Sequence, residues 1–483
     1  MFNRQLMPLT ANIVESYNIT QQKNSSSNTF LHSLTVALNL TIQLNFIFIN
    51  VIFSEENSMT KKGLTKYLSI GAVTTAALFL AACSNQKSTT SAKNSKTEIT
   101  MWHAMNGAQQ KTLKQLTNKF EKENPNIKVK LENQGNYPQL QGKITSTQQN
   151  PNNLPTMTQA YPGWLYQAAQ NKMLVNLTPY INNSTYGWGS VAKSNIRPEL
   201  MKGAQINGVQ YGIPFNKSIE VLTYNKTLLK KYGLKVPKTM EELKSVSKAI
   251  YEKSNHKIVG AGFDNLANYY VLGLKNEGQT FGRSIKLDSA TSKKVINFYA
   301  DGVRNGYFRT AGSERYLSGP FANEKVAMYI GTSAGESYTK MGVGNKFTYG
   351  VAPRPGEYTI SQGTDLYVFN HASKAQKNAA MKYMKFLTSK SSQLTWANET
   401  GYIPVNDNVL NSKEYLDSKM KLPSVLKDSM KHLYSVPVAK NSDSAYNGMN
   451  QIMENILIAA NKHQNVNAQI KAGQQKLDSA WRQ

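Results

Sequence analysis

From Glu98 onward the chain alternates between two hydrophobic periods. Glu98–Trp102 reads as a short apolar strand. Leu113, Leu116 and Phe120 then recur at helical spacing, and Pro125 stops that helix. Ile127, Val129 and Leu131 alternate with polar residues, which predicts a second strand. A strand, a covering helix and another strand in that order predict an α/β fold with a parallel sheet. The pattern returns further along. Thr239 and Glu242 form a capping box ahead of Leu243, Val246 and Ile250, and Ser292–Tyr299 and Ala375–Leu387 read as amphipathic helices. No repeat of fixed period appears.

Composition narrows the picture. The 483 residues are 40% hydrophobic, ample for a core and most naturally two domains. Of 56 Lys+Arg, against 29 Asp+Glu, only eight are Arg. Nucleic-acid recognition favours the planar Arg fork, whereas scattered Lys suits a soluble surface. The net charge of +27 therefore fits a surface facing an anionic cell envelope, with no nucleic acid as partner.

The single cysteine, Cys83, cannot form an internal disulfide, and no Cys/His cluster has zinc spacing. Its position carries the meaning. Lys61, Lys62 and Lys66 form a basic stretch, and an apolar run from Tyr67 to Ala82 follows. This is the order of a secretory signal, too short for a comfortable membrane span. Leu80-Ala81-Ala82-Cys83 resembles the lipobox of bacterial lipoprotein precursors. That resemblance implies cleavage after 59–82, lipidation of Cys83 and anchoring at the outer face of the cell membrane. Residues 83–96, rich in Ser, Thr, Asn and Lys, read as a flexible tether. Residues 1–58 do not fit a signal that starts at Met59. The expectation is an upstream extension with translation beginning at Met59; a further membrane segment over Leu31–Phe53 is the alternative.

Five motifs lie in order along the rest of the chain: Val209–Phe215 with Val221–Lys226, Pro237–Leu243, Phe321–Met328, Phe386–Lys390 and Thr400–Pro404. Together they resemble the extracellular solute-binding proteins of ABC importers in the maltose-binding superfamily. Ile99–Met105 and Gly135–Gln139 are similar to its glycerol-3-phosphate-binding branch. The resemblance implies a two-lobe periplasmic-binding-protein-like fold of class II, with a ligand cleft between lobes joined by a hinge. Lobe I would be 97–215 plus 330–388, and lobe II 216–329 plus 389–483. It also implies a monomer that delivers a small polar ligand to permease subunits in the membrane.

A sugar or polyol needs flat aromatic surfaces beside donors and acceptors that replace lost water. The resemblance assigns Tyr137, Ser218, Thr332, Tyr402 and Gly363 to the ligand, and puts Phe263 where a stacking tryptophan stands. Trp102, at the end of the first strand, and Trp164 are further aromatic candidates that a core would use equally well. Three positions depart from the branch. Pro162 replaces a glutamate, Leu266 a second tryptophan, and Met453 falls at a phosphate-binding arginine. Methionine supplies none of the charge-assisted bonds of that arginine, which shifts the expectation from glycerol-3-phosphate or a glycerophosphodiester to a sugar or oligosaccharide. Lys217 is a possible substitute charge.

Enzyme readings find little support. His103, His256, His371, His432 and His463 stand in no metal motif, and Gly260–Gly262 and Gly342–Gly344 lack a full nucleotide-binding pattern. No nucleophile elbow appears. The expectation is a binding protein without cofactor or metal; a surface glycan-active enzyme or an adhesin is the alternative.

Overall fold

The computed structural model describes residues 96–482. The expected upstream extension, leader, lipidated Cys83 and tether before Lys96 lie outside the described residues. No described helix is long and apolar enough to cross a membrane.

The opening α/β unit forms as the periodicity predicts. Strand β1 (Thr97–His103) leads into helix α1 (Gly107–Glu123), whose buried stripe holds Leu113, Leu116 and Phe120. Strand β2 (Ile127–Asn133) returns parallel to β1. Helix α2 (Tyr137–Thr147) starts on a capping box built by Asn136 and Gln139, and β3 (Met157–Ala160) pairs parallel to β1 on its other side.

The chain then enters β4 (Gly212–Asn225), a 14-residue strand with 13 buried positions. Helix α3 (Met240–Lys253) opens on the expected Thr239–Glu242 capping box. Strand β5 (Val259–Phe263), helix α4 (Leu266–Asn276), helix α5 (Ala290–Arg304), β6 (Phe308–Thr310) and β7 (Val326–Thr332) complete a second α/β unit, with β5 parallel to both β6 and β7. Helix α6 (Glu336–Val343), β8 (Tyr349–Pro353) and β9 (Thr359–Val368) follow. Helices α7 (Lys374–Leu387) and α8 (Lys390–Thr400), the short strand β10 (Leu433–Tyr434), α9 (Ser442–Asn461) and α10 (Val466–Ala480) close the chain.

The main strand order is β2-β1-β3-β9-β4-β7-β5-β6, with β8 also on β4 and β10 on β9. β4 joins the two halves. Its first part, Gly212–Ile219, pairs antiparallel with β9; its second, Glu220–Tyr224, pairs with β7. Separate cores lie on either side. One gathers Ile99, Leu113, Phe120, Phe215, Met384 and Trp396; another gathers Leu243, Phe263, Tyr270, Tyr299, Ile330 and Met453. Trp396, Tyr402 and Val405 pack into the first core, although the resemblance gave everything after 389 to the second lobe. The reason is geometric. Trp396 of α8 lies 4.7 Å from the ring of Phe215, so α8 closes over β4 before the chain crosses to α9.

Two buried ion pairs flank the crossing. Lys217 donates to Asp365 at 3.1 Å, and the Nε of Arg354 donates to Glu220 at 3.1 Å. Burial pushes the Glu220 carboxyl up, while Arg354 and the Asn268 amide pull it back down.

Candidate functional site

Parallel strands place their following loops on one edge, and in open α/β sheets that edge receives ligands. Here the carboxyl ends of strands from both units face a common cleft. Asn106 follows β1, Asn136 and Tyr137 follow β2, and Tyr161 follows β3. Asp264 and Asn265 follow β5, and Thr332 ends β7. The cleft has two chambers of about 560 and 570 Å³ that share Tyr137, Tyr161, Asn265, Gln362 and Gly363.

An aromatic cluster forms the wall of the first chamber. The rings of Tyr137 and Tyr161 meet nearly edge-on at 5.6 Å, as do Tyr137 and Trp164 at 5.8 Å, and Tyr161 and Trp164 are tilted at 5.1 Å. Hydrogen bonds hold these rings in place. Gln159 Nε2 donates to the Thr364 hydroxyl at 3.1 Å, Thr364 donates to Asn216 Oδ1 at 2.6 Å, and Asn216 Nδ2 donates to the Tyr137 hydroxyl at 3.1 Å. The Tyr137 and Tyr402 hydroxyls lie 3.3 Å apart. Gly363 N–H donates to the Tyr161 hydroxyl at 3.2 Å. Across the chamber, Gln141 on α2 donates to Asp443 on α9 at 2.7 Å.

Gly363 is required where the crossing strands touch. Its φ is +85°, and a Cβ there would stand 2.0 Å from the Asn216 carbonyl oxygen.

The second chamber is the more polar one. Asn106, Gln109, Asn136, Ser218, Glu220, Asp264, Asn265, Ser318 and Thr332 line it beside the phenols of Tyr316, Tyr338 and Tyr402. Asp264 accepts from the Leu317 N–H at 2.7 Å, and burial pushes its carboxyl up to about 7.

Six of the eight expected ligand positions meet at this cleft. Tyr137 and Gly363 line both chambers, Trp164 the first, and Ser218, Thr332 and Tyr402 the second. Two do not, and both are corrections. Phe263 is fully buried, with Tyr269 and Tyr299 packed on its ring at 4.7 and 5.0 Å. Successive strand residues face opposite sides, so the inward Phe263 leaves the next residue, Asp264, at the cleft. Trp102 is buried too; its indole N–H donates to Glu132 at 2.8 Å and Lys143 lies over its ring.

The departures from the family pattern also change meaning. Met453 is fully buried among core residues and lines neither chamber, so its lack of charge says nothing about phosphate. Ser442, Asp443, Tyr446 and Asn447, earlier on α9, are the residues that reach the cleft. Pro162 does line the first chamber, whereas Leu266 is core. Lys217 lines the first chamber, but its ammonium is held by Asp365 and by the Gly363 carbonyl at 2.9 Å. His103, the last residue of β1, is buried; burial lowers it to about 4, and its Nδ1 accepts from the Met105 N–H at 3.2 Å.

Residues 115–442 match the family model for bacterial extracellular solute-binding proteins. The sn-glycerol-3-phosphate-binding periplasmic protein UgpB of Brucella melitensis is 25% identical over 339 residues, 64% of this chain and 75% of that protein. Among solved structures, the GacH receptor of Streptomyces glaucescens, studied unliganded and with acarbose, has a TM-score of 0.67 at 21% identity, covering 80% of this chain and 99% of its own. The sugar-binding protein MalE of Xanthomonas citri has a TM-score of 0.68 at 20% identity, covering 80% and 98%. UgpB of Mycobacterium tuberculosis, in complex with glycerophosphocholine, has a TM-score of 0.67 at 20% identity, covering 80% and 98%. At these identities the structures establish the shared two-lobe α/β fold.

Proposed function

The chain belongs to the bacterial extracellular solute-binding proteins, and from that membership we propose that it captures a carbohydrate outside the cytoplasmic membrane and hands it to the permease subunits of an ABC importer. The observation that carries the ligand class is the cluster of Tyr137, Tyr161 and Trp164 beside a second chamber rich in hydroxyls, amides and carboxylates. Aromatic rings cover the C–H faces of a sugar, and the polar groups replace the water its hydroxyls lose. Ligand favours the closed arrangement because both halves of the cleft touch it only then. Tyr137, Trp164, Ser218, Thr332, Gly363 and Tyr402 are the contacts we assign. No catalytic role is assigned to the cleft, and the protein acts as a monomer. Cys83, diacylated after removal of 59–82, moors it, since two acyl chains at about 0.8 kcal/mol per buried methylene suffice for stable anchoring.

A second reading has one observation in its favour. The UgpB relatives are named for glycerol-3-phosphate, so glycerol-3-phosphate or a glycerophosphodiester is the alternative ligand.

Calorimetry of the mature protein with malto- and galacto-oligosaccharides, glycerol-3-phosphate and glycerophosphodiesters, followed by chromatography of the mixtures, tests the proposal. Saturable heat with an oligosaccharide and no new product is the expected result. Product formation would make the protein an enzyme instead. Mass spectrometry of the protein from its native membrane checks the anchor: the expected N-terminal peptide begins at a diacylated Cys83, and peptides from 1–58 would contradict a start at Met59.

A further inference from the structure

We infer that the cleft selects an uncharged, polyhydroxylated ligand and turns away phosphate esters, with the Asp264 carboxylate as the acceptor its hydroxyls meet. The inference rests on the carbohydrate reading above and sharpens it.

Among the described residues lining the two chambers, the only cation is Lys217. It is already bonded to Asp365 and to the Gly363 carbonyl. Arg354 is the buried ion-pair partner of Glu220 in the second chamber's wall. Its Nε donates to Glu220, its Nη1 to the Pro355 carbonyl at 3.0 Å, and its side chain is 1% exposed. Among the described residues lining the two chambers, no lysine or arginine is therefore left to meet a phosphate.

The carboxylates are differently placed. Glu220 is neutralised by Arg354, but the donors to Asp443 are neutral: the Gln141 amide, the Asn447 amide at 3.0 Å and the Trp164 indole. Asp264 receives a single hydrogen bond, from Leu317 N–H to Oδ1. Its Oδ2 lies against Gly331, where a Cβ would come within 2.2 Å, so the glycine makes room for this carboxylate at the chamber wall. An acceptor held by one backbone bond at the chamber wall suits the hydroxyls of a sugar. It repels a phosphate.

One feature favours an anion. Asn106 makes no side-chain bond to the first turn of α1, so that helix end is open, and Asn106 and Gln109 line the second chamber. A helix end carries about half an elementary charge. Two carboxylates without cationic partners exceed it once they are ionised.

Asp264 also makes the selection depend on pH. The groups around it are the Glu220–Arg354 pair on β4 and ahead of β9, Tyr316 before the Ser318 turn, Tyr329 on β7 and Tyr299 on α5. Burial pushes all three phenols up, away from neutrality. Asp264, at about 7, changes its charge between pH 6 and 8. As it ionises, hydroxyl donors bind better and phosphates worse.

The experiment is calorimetry of the wild-type mature protein at pH 6 and 8, with circular dichroism melts to show that variants fold. The probes are maltotriose, raffinose and trehalose, with trehalose 6-phosphate, glucose 6-phosphate and glycerol-3-phosphate as the charged set. A neutral sugar should bind at least tenfold tighter than every phosphate ester, and the margin should widen from pH 6 to pH 8. Asp264→Asn should weaken the neutral sugar at least tenfold and remove the widening. Glycerol-3-phosphate or a sugar phosphate binding as tightly as any neutral probe would overturn the inference while leaving a solute-binding protein. A folded Asp264→Asn protein with unchanged affinities and pH dependence would also overturn it. Binding of no probe at all would instead refute the carbohydrate reading itself.

Discussion

At Asp264 the fold keeps a carboxylate where its charge is disfavoured. Burial moves it from its ordinary 3.8 to about 7, so between those values the folded protein holds a proton that the unfolded chain has released. Stability therefore falls as pH rises through that window, by on the order of 4 kcal/mol at most. Asp264→Asn has no proton to hold, so its stability relative to wild type should grow from pH 4 to pH 8. Urea unfolding at the two pH values measures this, and an equal difference at both would show that the carboxylate is solvated. The same residue shows where sequence reading stops. Phe263 was the aromatic expected at the cleft, and the strand ends one residue before the group that faces it. A single step along β5 exchanges core for cleft, and no local pattern marks which of the two neighbours faces the ligand.

Among the elements, those with strong periodicity were legible and the crossings were only partly so. The stripe Leu113, Leu116 and Phe120, the Thr239–Glu242 box and the helix over Lys374–Leu387 follow from local chemistry, because one amphipathic face and one cap decide each. The crossing of β4 with β9 depends on contacts between residues more than 140 positions apart, such as Lys217 with Gly363. Gly363 is the tightest point. Gly363→Ala should lower stability by about 1–3 kcal/mol from its left-handed backbone alone, read as a fall in the urea midpoint. It should also weaken ligand binding, since Gly363 positions the Tyr161 hydroxyl. A variant as stable as wild type would mean that the strands can separate there at little cost.

On the scale of the whole molecule, the two larger cores are joined by β4, and buried ion pairs stand on both sides of the junction. Removing one partner leaves an unpaired buried charge, so Arg354→Met should destabilise the protein by about 3–5 kcal/mol, again by urea unfolding. A loss below about 1 kcal/mol would indicate that water reaches Glu220. The +27 net charge does not extend into the cleft, where the cations are bound within the protein and carboxylates face the cavity. Surface and site thus carry opposite electrostatic characters, which summed composition could not reveal. A crystal structure of the mature protein with its tightest-binding neutral oligosaccharide tests the central claim most directly. The account predicts a sugar ring against Tyr137, Tyr161 and Trp164 and a hydroxyl within hydrogen-bond distance of Asp264. Ligand density elsewhere on the surface, with the cleft holding only water, would contradict it.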